Sequence, residues 1–275
     1  MEQPFIVKPG ESISLIGEKK SRSSNHNPDN TGSYNKKDDT KKPLKKLHKE
    51  LLELQEILYA ENKHALLIIL QGMDTCGKDG TIRKVMAGIN VQGCEVVNFK
   101  APTVDELSRD YLWRVHKSVP PKGKIGIFNR SHYEDVLVVR VHDLVPKSVW
   151  KKRYQQINDF ERMLVENGTV ILKFFLNISK DEQKERLESR INTPSKHWKV
   201  NEADFHERTY WDDYMQAYEV VLEKCSTEWA PWYIIPANKK WYRDLVITER
   251  IVKTLQDLKM KFPEPNTDVS KLTIV

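Results

Sequence analysis

The sequence predicts an α/β fold, a parallel sheet with helices on both faces. Three observations carry this. Short aliphatic runs alternate with helical patterns through the main body, as β-α-β units do. One run, Leu66-Leu67-Ile68-Ile69-Leu70, leads into Gly72-Met73-Asp74-Thr75-Cys76-Gly77-Lys78, and a helical pattern follows from Thr81 to Met86. Strand, G-x-x-x-x-G-K, helix is the P-loop, where backbone N–H groups, a helix N-terminus and a lysine hold phosphate oxygens. Finally, the 275 residues show no internal repeat and no second apolar core. They predict one P-loop domain with an inserted lid.

The elements follow in order. Residues 1–40 lack sustained periodicity, and Ser21 to Thr40 is almost entirely polar. This predicts a loose extension, with turns at Asn27-Pro28-Asp29 and Thr31-Gly32. The domain itself is placed at 41–260. From Pro43, Leu44, Leu47, Leu51, Leu54 and Leu58 recur at helical spacing and form one apolar face. Lys41, Lys42, Lys45, Lys46 and Lys49 at its start read as a solvated face, with a phosphate groove as the alternative.

After the P-loop unit comes a strand over 95–99. Thr103 and Glu106 form a capping box opening a helix to about Lys117. A strand at 124–128 runs straight into Asn129-Arg130-Ser131-His132-Tyr133-Glu134-Asp135. A helix over 147–166 ends at Asn167-Gly168, and a strand covers 169–176. Ser179 and Glu182 form a second capping box, opening a basic helix that Thr193-Pro194 breaks. A helix over about 202–224, a strand at 233–235, a helix over about 241–259 and an extended tail at 261–275 complete the chain.

Composition narrows the function. A formal charge of +6 and a pI near 9.0 fit a polyanionic partner: nucleic acid, a nucleotide or a phosphate chain. Cys76, Cys94 and Cys225 are odd in number and widely spaced, which indicates neither zinc nor a disulfide framework. No apolar run approaches the roughly 18 residues of a membrane span. The expectation is a soluble, cytoplasmic protein.

Candidate chemistry falls in three clusters. In the P-loop, the hydroxyl usual after the lysine is replaced by Asp79, and Asp74 places a carboxylate inside an anion-binding loop. Such a carboxylate is tolerable where a cation lies between it and phosphate, so Asp74 reads as a metal-organising or acceptor-orienting group. At the next strand end, Arg130 is a fork suited to phosphate oxygens. Glu134 and Asp135 are candidates for Mg²⁺ or acceptor activation, or simply favour a helix N-terminus. The third cluster is the basic segment at about 182–200, with Arg186, Arg190, Lys196 and Lys199. It reads as a lid closing over the transferring group, the alternative being an exposed charged helix face. His116, His132 and His142 lack metal-ligand spacing, and His132 is expected to be packed or hydrogen-bonded.

At these residues a resemblance emerges. Gly72 to Gly80, Phe128-Asn129-Arg130-Ser131-His132-Tyr133-Glu134-Asp135-Val136, Trp198-Lys199 and the segment Pro236 to Arg243 resemble the polyphosphate kinase type 2 family over about residues 43–258. The resemblance implies a thymidylate-kinase-like P-loop fold, Mg²⁺, and phosphoryl transfer between inorganic polyphosphate and AMP or ADP (possible guanine counterparts being GMP and GDP), with ATP as a product. It carries Asp74, Lys78, Arg130 and the lid bases Arg186 and Arg190 over from the family; with the residue-level reading beside it, Asp74, Lys78, Arg130 and Glu134 are the expected catalytic residues, Asp74 and Glu134 organising Mg²⁺ and the acceptor. Phosphate binding falls to Gly72, Gly77, Lys78, Asp79, Gly80, Arg130 and the lid bases Arg186, Arg190 and Lys196. Members preferring diphosphates tend to carry Asp where Asn129 stands and Asn where Glu134 stands. The pattern here resembles the class III branch, which phosphorylates monophosphates and diphosphates alike. A homo-oligomer, dimer or tetramer, is implied too. Two rival readings are an ATP-dependent nucleoside monophosphate kinase and a non-catalytic polyanion binder. Asp79 argues against the first. The acidic residues of the site, with no RRM- or zinc-finger-type signature, argue against the second and against nucleic acid as partner.

Overall fold

The computed structural model describes residues 5–15 and 26–273. Its core is a five-stranded parallel sheet, β1 (Ala65–Gln71), β2 (Cys94–Asn98), β3 (Ile125–Asn129), β4 (Thr169–Asn177) and β5 (Trp232–Pro236), in the order β2-β3-β1-β4-β5. β1 and β5 are buried at every position, as expected of strands covered on both faces. The edge strand β2 is mostly exposed. Helices α1 (Lys37–Glu61), α2 (Lys78–Val85) and α10 (Lys240–Asp257) pack together, while α6 (Lys147–Glu166) packs with α9 (Trp211–Cys225) and β4. Shorter helices complete the chain: α3 (Val104–Leu107), α4 (Trp113–His116), α5 (Val138–Val141), α7 (Lys180–Ile191) and α8 (Glu202–Glu207). The register aligns Leu70 with both Asn129 and Phe174, so β1 and β3 deliver their loops side by side.

Several expectations need correction. The loose extension over 1–40 does not describe residues 5–15 or 26–36; residues 1–4 and 16–25 lie outside the described residues. Phe5, Val7, Ile13 and Leu15 are buried. Ile6 bridges antiparallel to Tyr233, and Val7 N–H donates to the Trp232 carbonyl at 2.9 Å. This segment shields the outer edge of the sheet at β5. Asn238 then clips the next segment, donating from its backbone to the Pro28 carbonyl and from its side chain to Asp29. The expected turns form, with Asn30 N–H reaching Asn27 O and Gly32 at φ +55°.

α1 starts at Lys37 rather than Pro43, because Asp39 accepts from the backbone of Asn35 and Lys36 and caps it earlier. The helix expected over 103–117 is two short ones, the first ending at Leu107 and the second entered where Asp110 accepts from Leu112 N–H. The helix expected over 202–224 is likewise split, by a 3₁₀ turn at Arg208–Tyr210. At 179–182 only half the capping box forms, since Glu182 turns to Arg186.

Candidate active site

The loop after β1 closes tightly. Gly72 (φ +146°) has no room for a Cβ, which would lie 2.8 Å from the Leu176 carbonyl. Gly77 (φ +106°) begins α2, and a Cβ there would overlap the Arg243 guanidinium. Lys78 curls back over the loop, its Nζ donating to Gly72 O at 2.8 Å. Its ammonium thus sits over a ring of backbone groups, poised to exchange carbonyl contacts for phosphate oxygens.

Arg130 follows β3 in left-handed backbone (φ +61°), as does Thr75 in the P-loop (φ +65°). Strained non-glycine backbone of this kind clusters at functional sites. The guanidinium donates to Asp74 Oδ1 at 2.6 Å and lies 3.9 Å from Glu134. Burial opposes its charge, but Glu134 and Asp74 outweigh this and raise its pKa. Burial pushes the Glu134 carboxyl up against the opposing pull of Arg130 and Lys78. Asp79 accepts from Asn129 Nδ2 at 2.7 Å, and Asn129 also binds Asn98. Asp79 is thereby a brace between α2, β3 and β2. The nearest hydroxyl in α2, Thr81, donates back to Gly77 O and is buried.

Two cavities adjoin here. The larger, about 760 Å³, is open and takes in Asp74, Gly77, Lys78, Asp79, Gly80 and Arg130 from the sequence prediction, together with the lid bases Arg186, Arg190 and Lys196. A smaller one, about 30 Å³, is lined by Gly72, Glu134, Tyr214 and Tyr218. Asp74 and Arg130 belong to both, so this ion pair is the partition between them.

The lid bases differ in what they can offer. Arg186 is buried, and its five N–H groups are all committed: Nε to Glu182, one nitrogen to the carbonyls of Thr75 and Cys76, the other to those of Ala237 and Asn238. It clamps the P-loop to the end of β5. Arg190 is held by Asp204 at 2.9 Å, while Lys196 is exposed and its ammonium donates to Ser189 Oγ.

The sequence reading assigns Arg83, Lys240 and Arg243 no site role, although the last two stand in the motif segment Pro236 to Arg243; all three also line the large cavity. Burial first, then Arg186, pushes the Lys240 ammonium pKa down. Nine basic side chains face five acidic ones there, an excess positive field that an anionic ligand would relieve. His132 is buried and bonded to Glu161, as the sequence suggested. The aromatic residues near the C-terminus are largely core: Trp232 and Tyr242 are buried.

A parallel sheet with a phosphate-type loop at its carboxyl edge, under a cation-lined cavity, defines a phosphotransferase of the P-loop kinase type. A family model described as Polyphosphate kinase 2 (PPK2) matches residues 34–263, and the chain belongs to that family. It is 53% identical over 248 residues to an AMP/ADP-polyphosphate phosphotransferase of Meiothermus ruber, covering 90% of this chain and 93% of the relative. It is 48% identical to an ADP-polyphosphate phosphotransferase of Rhodopseudomonas palustris, with 84% of each chain covered. The crystal structure of polyphosphate kinase 2 from Arthrobacter aurescens TC1 superposes with a TM-score of 0.87 at 44% identity, over 96% of this chain and 95% of that one. No helix among the described residues is long and apolar enough to cross a membrane.

Proposed function

We propose that this enzyme moves the terminal phosphoryl group of inorganic polyphosphate onto AMP and ADP, the reaction written in the name of its Meiothermus ruber relative. The observation that carries the reading is the shape and charge of the large cavity. It is large, open and lined by nine basic side chains, as a polymer of repeating negative charge requires, and the Asp74–Arg130 pair stands in its wall.

The mechanism follows from the acceptor. The attacking group is a phosphate oxygen, already anionic, so charge neutralisation and alignment matter more than a strong general base. Lys78 and the N-terminus of α2 receive the terminal phosphoryl oxygens. Arg130, at the partition, spans the phosphoryl group and the acceptor phosphate. Arg190 and Lys196 neutralise the chain behind it, while Arg186 holds the P-loop in shape. The smaller cavity beyond Glu134 faces the acceptor side.

The donor set fits Mg²⁺. Among the described residues no cluster of three or more His, Cys, Asp or Glu side chains could hold a metal. Asp74 and Glu134 do flank one guanidinium, and Mg²⁺ commonly takes one or two carboxylates and completes its shell with phosphate oxygens and water. Bound by them, it would offset the repulsion between donor and acceptor phosphates.

The observations weigh against an ATP-dependent monophosphate kinase, because Asp79 is tied to Asn129 and the Thr81 hydroxyl is turned into its own helix. A cytoplasmic homo-oligomer, dimer or tetramer, completes the proposal. The test is donor choice: with Mg²⁺ and AMP, polyphosphate should support ADP formation, and activity with ATP alone as donor would overturn the reading.

A further inference from the structure

The loop carrying Arg130 and Glu134 rests on a buried ionic network. His132 and Tyr133, between those two residues, both point into the core. Glu161 Oε1, from α6, accepts from His132 Nε2 at 3.2 Å and from the Tyr133 hydroxyl at 2.8 Å. Its Oε2 accepts from Lys173 of β4 at 2.6 Å. Lys173 in turn donates to the Tyr133 hydroxyl and to the Cys225 carbonyl at the end of α9. His132, Glu161 and Lys173 are all at most 1% exposed. None lines either cavity, so none can touch substrate or the reacting atoms.

A charged pair in such a place is costly, and its attested use is to fix one arrangement against others. The arrangement needing such support is the left-handed Arg130 backbone, which persists only when its surroundings over-determine it. From above, the loop is tethered by Arg130 N–H to Leu70 O and by Gln71 to Ser131 Oγ. From below, the network is one polar tether, beside Arg153 of α6, which donates to the carbonyl and carboxylate of Asp135. His132 Nδ1 has no hydrogen-bond partner among the described residues, so Nε2 carries the proton and its bond to Glu161 sets the ring. His132 also begins the 3₁₀ turn His132–Asp135 that contains Glu134. The anchored ring therefore fixes where the turn bearing that carboxylate starts.

We infer that His132, through Glu161 and Lys173, is a positioning residue for phosphoryl transfer, holding Arg130 and Glu134 in register with Asp74. The inference rests on the function proposed above. Two variants separate it from plain packing. Both His132→Gln and His132→Asn lose the ring and its contacts with Tyr133 and Phe160. The Gln amide nitrogen reaches the place of Nε2, whereas the Asn amide nitrogen reaches only that of Nδ1.

The expected result is that His132→Gln keeps kcat within about threefold of the parent while His132→Asn loses about 10²-fold, the cost of ångström-scale misplacement. KM for both substrates should be unchanged; His132→Asn should melt somewhat below His132→Gln, because only it leaves Glu161 short of a donor, so kcat is compared well below both melting temperatures. Equal kcat in the two variants, or a change confined to KM, would overturn the inference. Should His132→Asn fail to fold, Tyr133→Phe removes one hydroxyl from the network and keeps the ring. It should lower kcat without raising KM, and parental kcat would overturn the inference. The parent is assayed first with polyphosphate and then with ATP. That choice of donor judges the functional reading, while the Gln–Asn contrast, read with whichever donor turns over, judges the positioning role.

Discussion

Glu161→Gln should destabilise this protein more than any surface charge change, and the amount follows from what it leaves behind. Lys173 keeps only neutral acceptors, the Tyr133 hydroxyl, the Cys225 carbonyl and the new amide, while remaining fully buried. Removing one partner of a buried ion pair costs about 3–5 kcal/mol. With an unfolding entropy of about 2.1 cal/mol/K per residue, that lowers Tm by roughly 5–9 °C for a chain of this length. Lys173→Met should cost less, because Glu161 retains His132 and Tyr133 as donors. The double variant strands neither charge and should melt no lower than Glu161→Gln alone. Calorimetry at neutral pH on all four proteins closes the cycle. Additive losses would refute the claim that the network is coupled. The pH dependence has a definite sign. Burial alone would raise the Glu161 pKa, but Lys173 and then His132 outweigh it and hold it below its ordinary 4.5. Its contribution is present above that value and lost as pH falls through the lower folded one. The gap between parent and Glu161→Gln should therefore close only in acid.

Other outcomes follow from the site. Glu134 has the opposite sign: burial, against Arg130 and Lys78, raises its folded pKa, so its charge costs stability above that pKa. Glu134→Gln should raise Tm at pH 8, with the gain fading in acid, while turnover falls by about 10²-fold; unchanged turnover would remove Glu134 from the mechanism. Lys78→Ala and Asp74→Ala should each cut turnover by about 10³-fold with circular dichroism unchanged, and near-parental turnover in either would overturn its assignment. Lys196→Ala should raise the KM for polyphosphate a few-fold, more at low salt, without moving Tm, as expected of an exposed cation. Arg186→Lys should lower both Tm and kcat, since an ammonium cannot replace a fork bonded to four carbonyls.

What could be read from the chain depended on whether the information was local. The P-loop and the Asn129–Asp135 loop are contiguous and each follows an aliphatic strand, so type and place were both legible. The strand bearing Lys173 was legible too, but its meaning was not. A lysine within Val170-Ile171-Leu172-Lys173-Phe174-Phe175 signals a buried counter-ion, yet nothing nearby in sequence names Glu161. Arg186 looked like a lid base because its helix is rich in charge; its carbonyl partners lie 51–52 and 110–111 residues away. The N-terminal segment was misread for the same reason. Phe5 and Val7, like Ile13 and Leu15, alternate over only a few residues; the β5 edge beside Ile6 and Val7, and the α9 residue Glu219 that accepts from Leu15 N–H, come more than 200 residues later.

The central claim is that polyphosphate is the phosphoryl donor and that one site serves two acceptors. The most direct measurement supplies ³²P-polyphosphate and Mg²⁺ with unlabelled AMP as the sole nucleotide, and follows the label by chromatography. The account predicts label first in ADP and then in ATP, with both products lost in Lys78→Ala. Label that stays in polyphosphate, while AMP is converted to ADP once ATP is added, would contradict it.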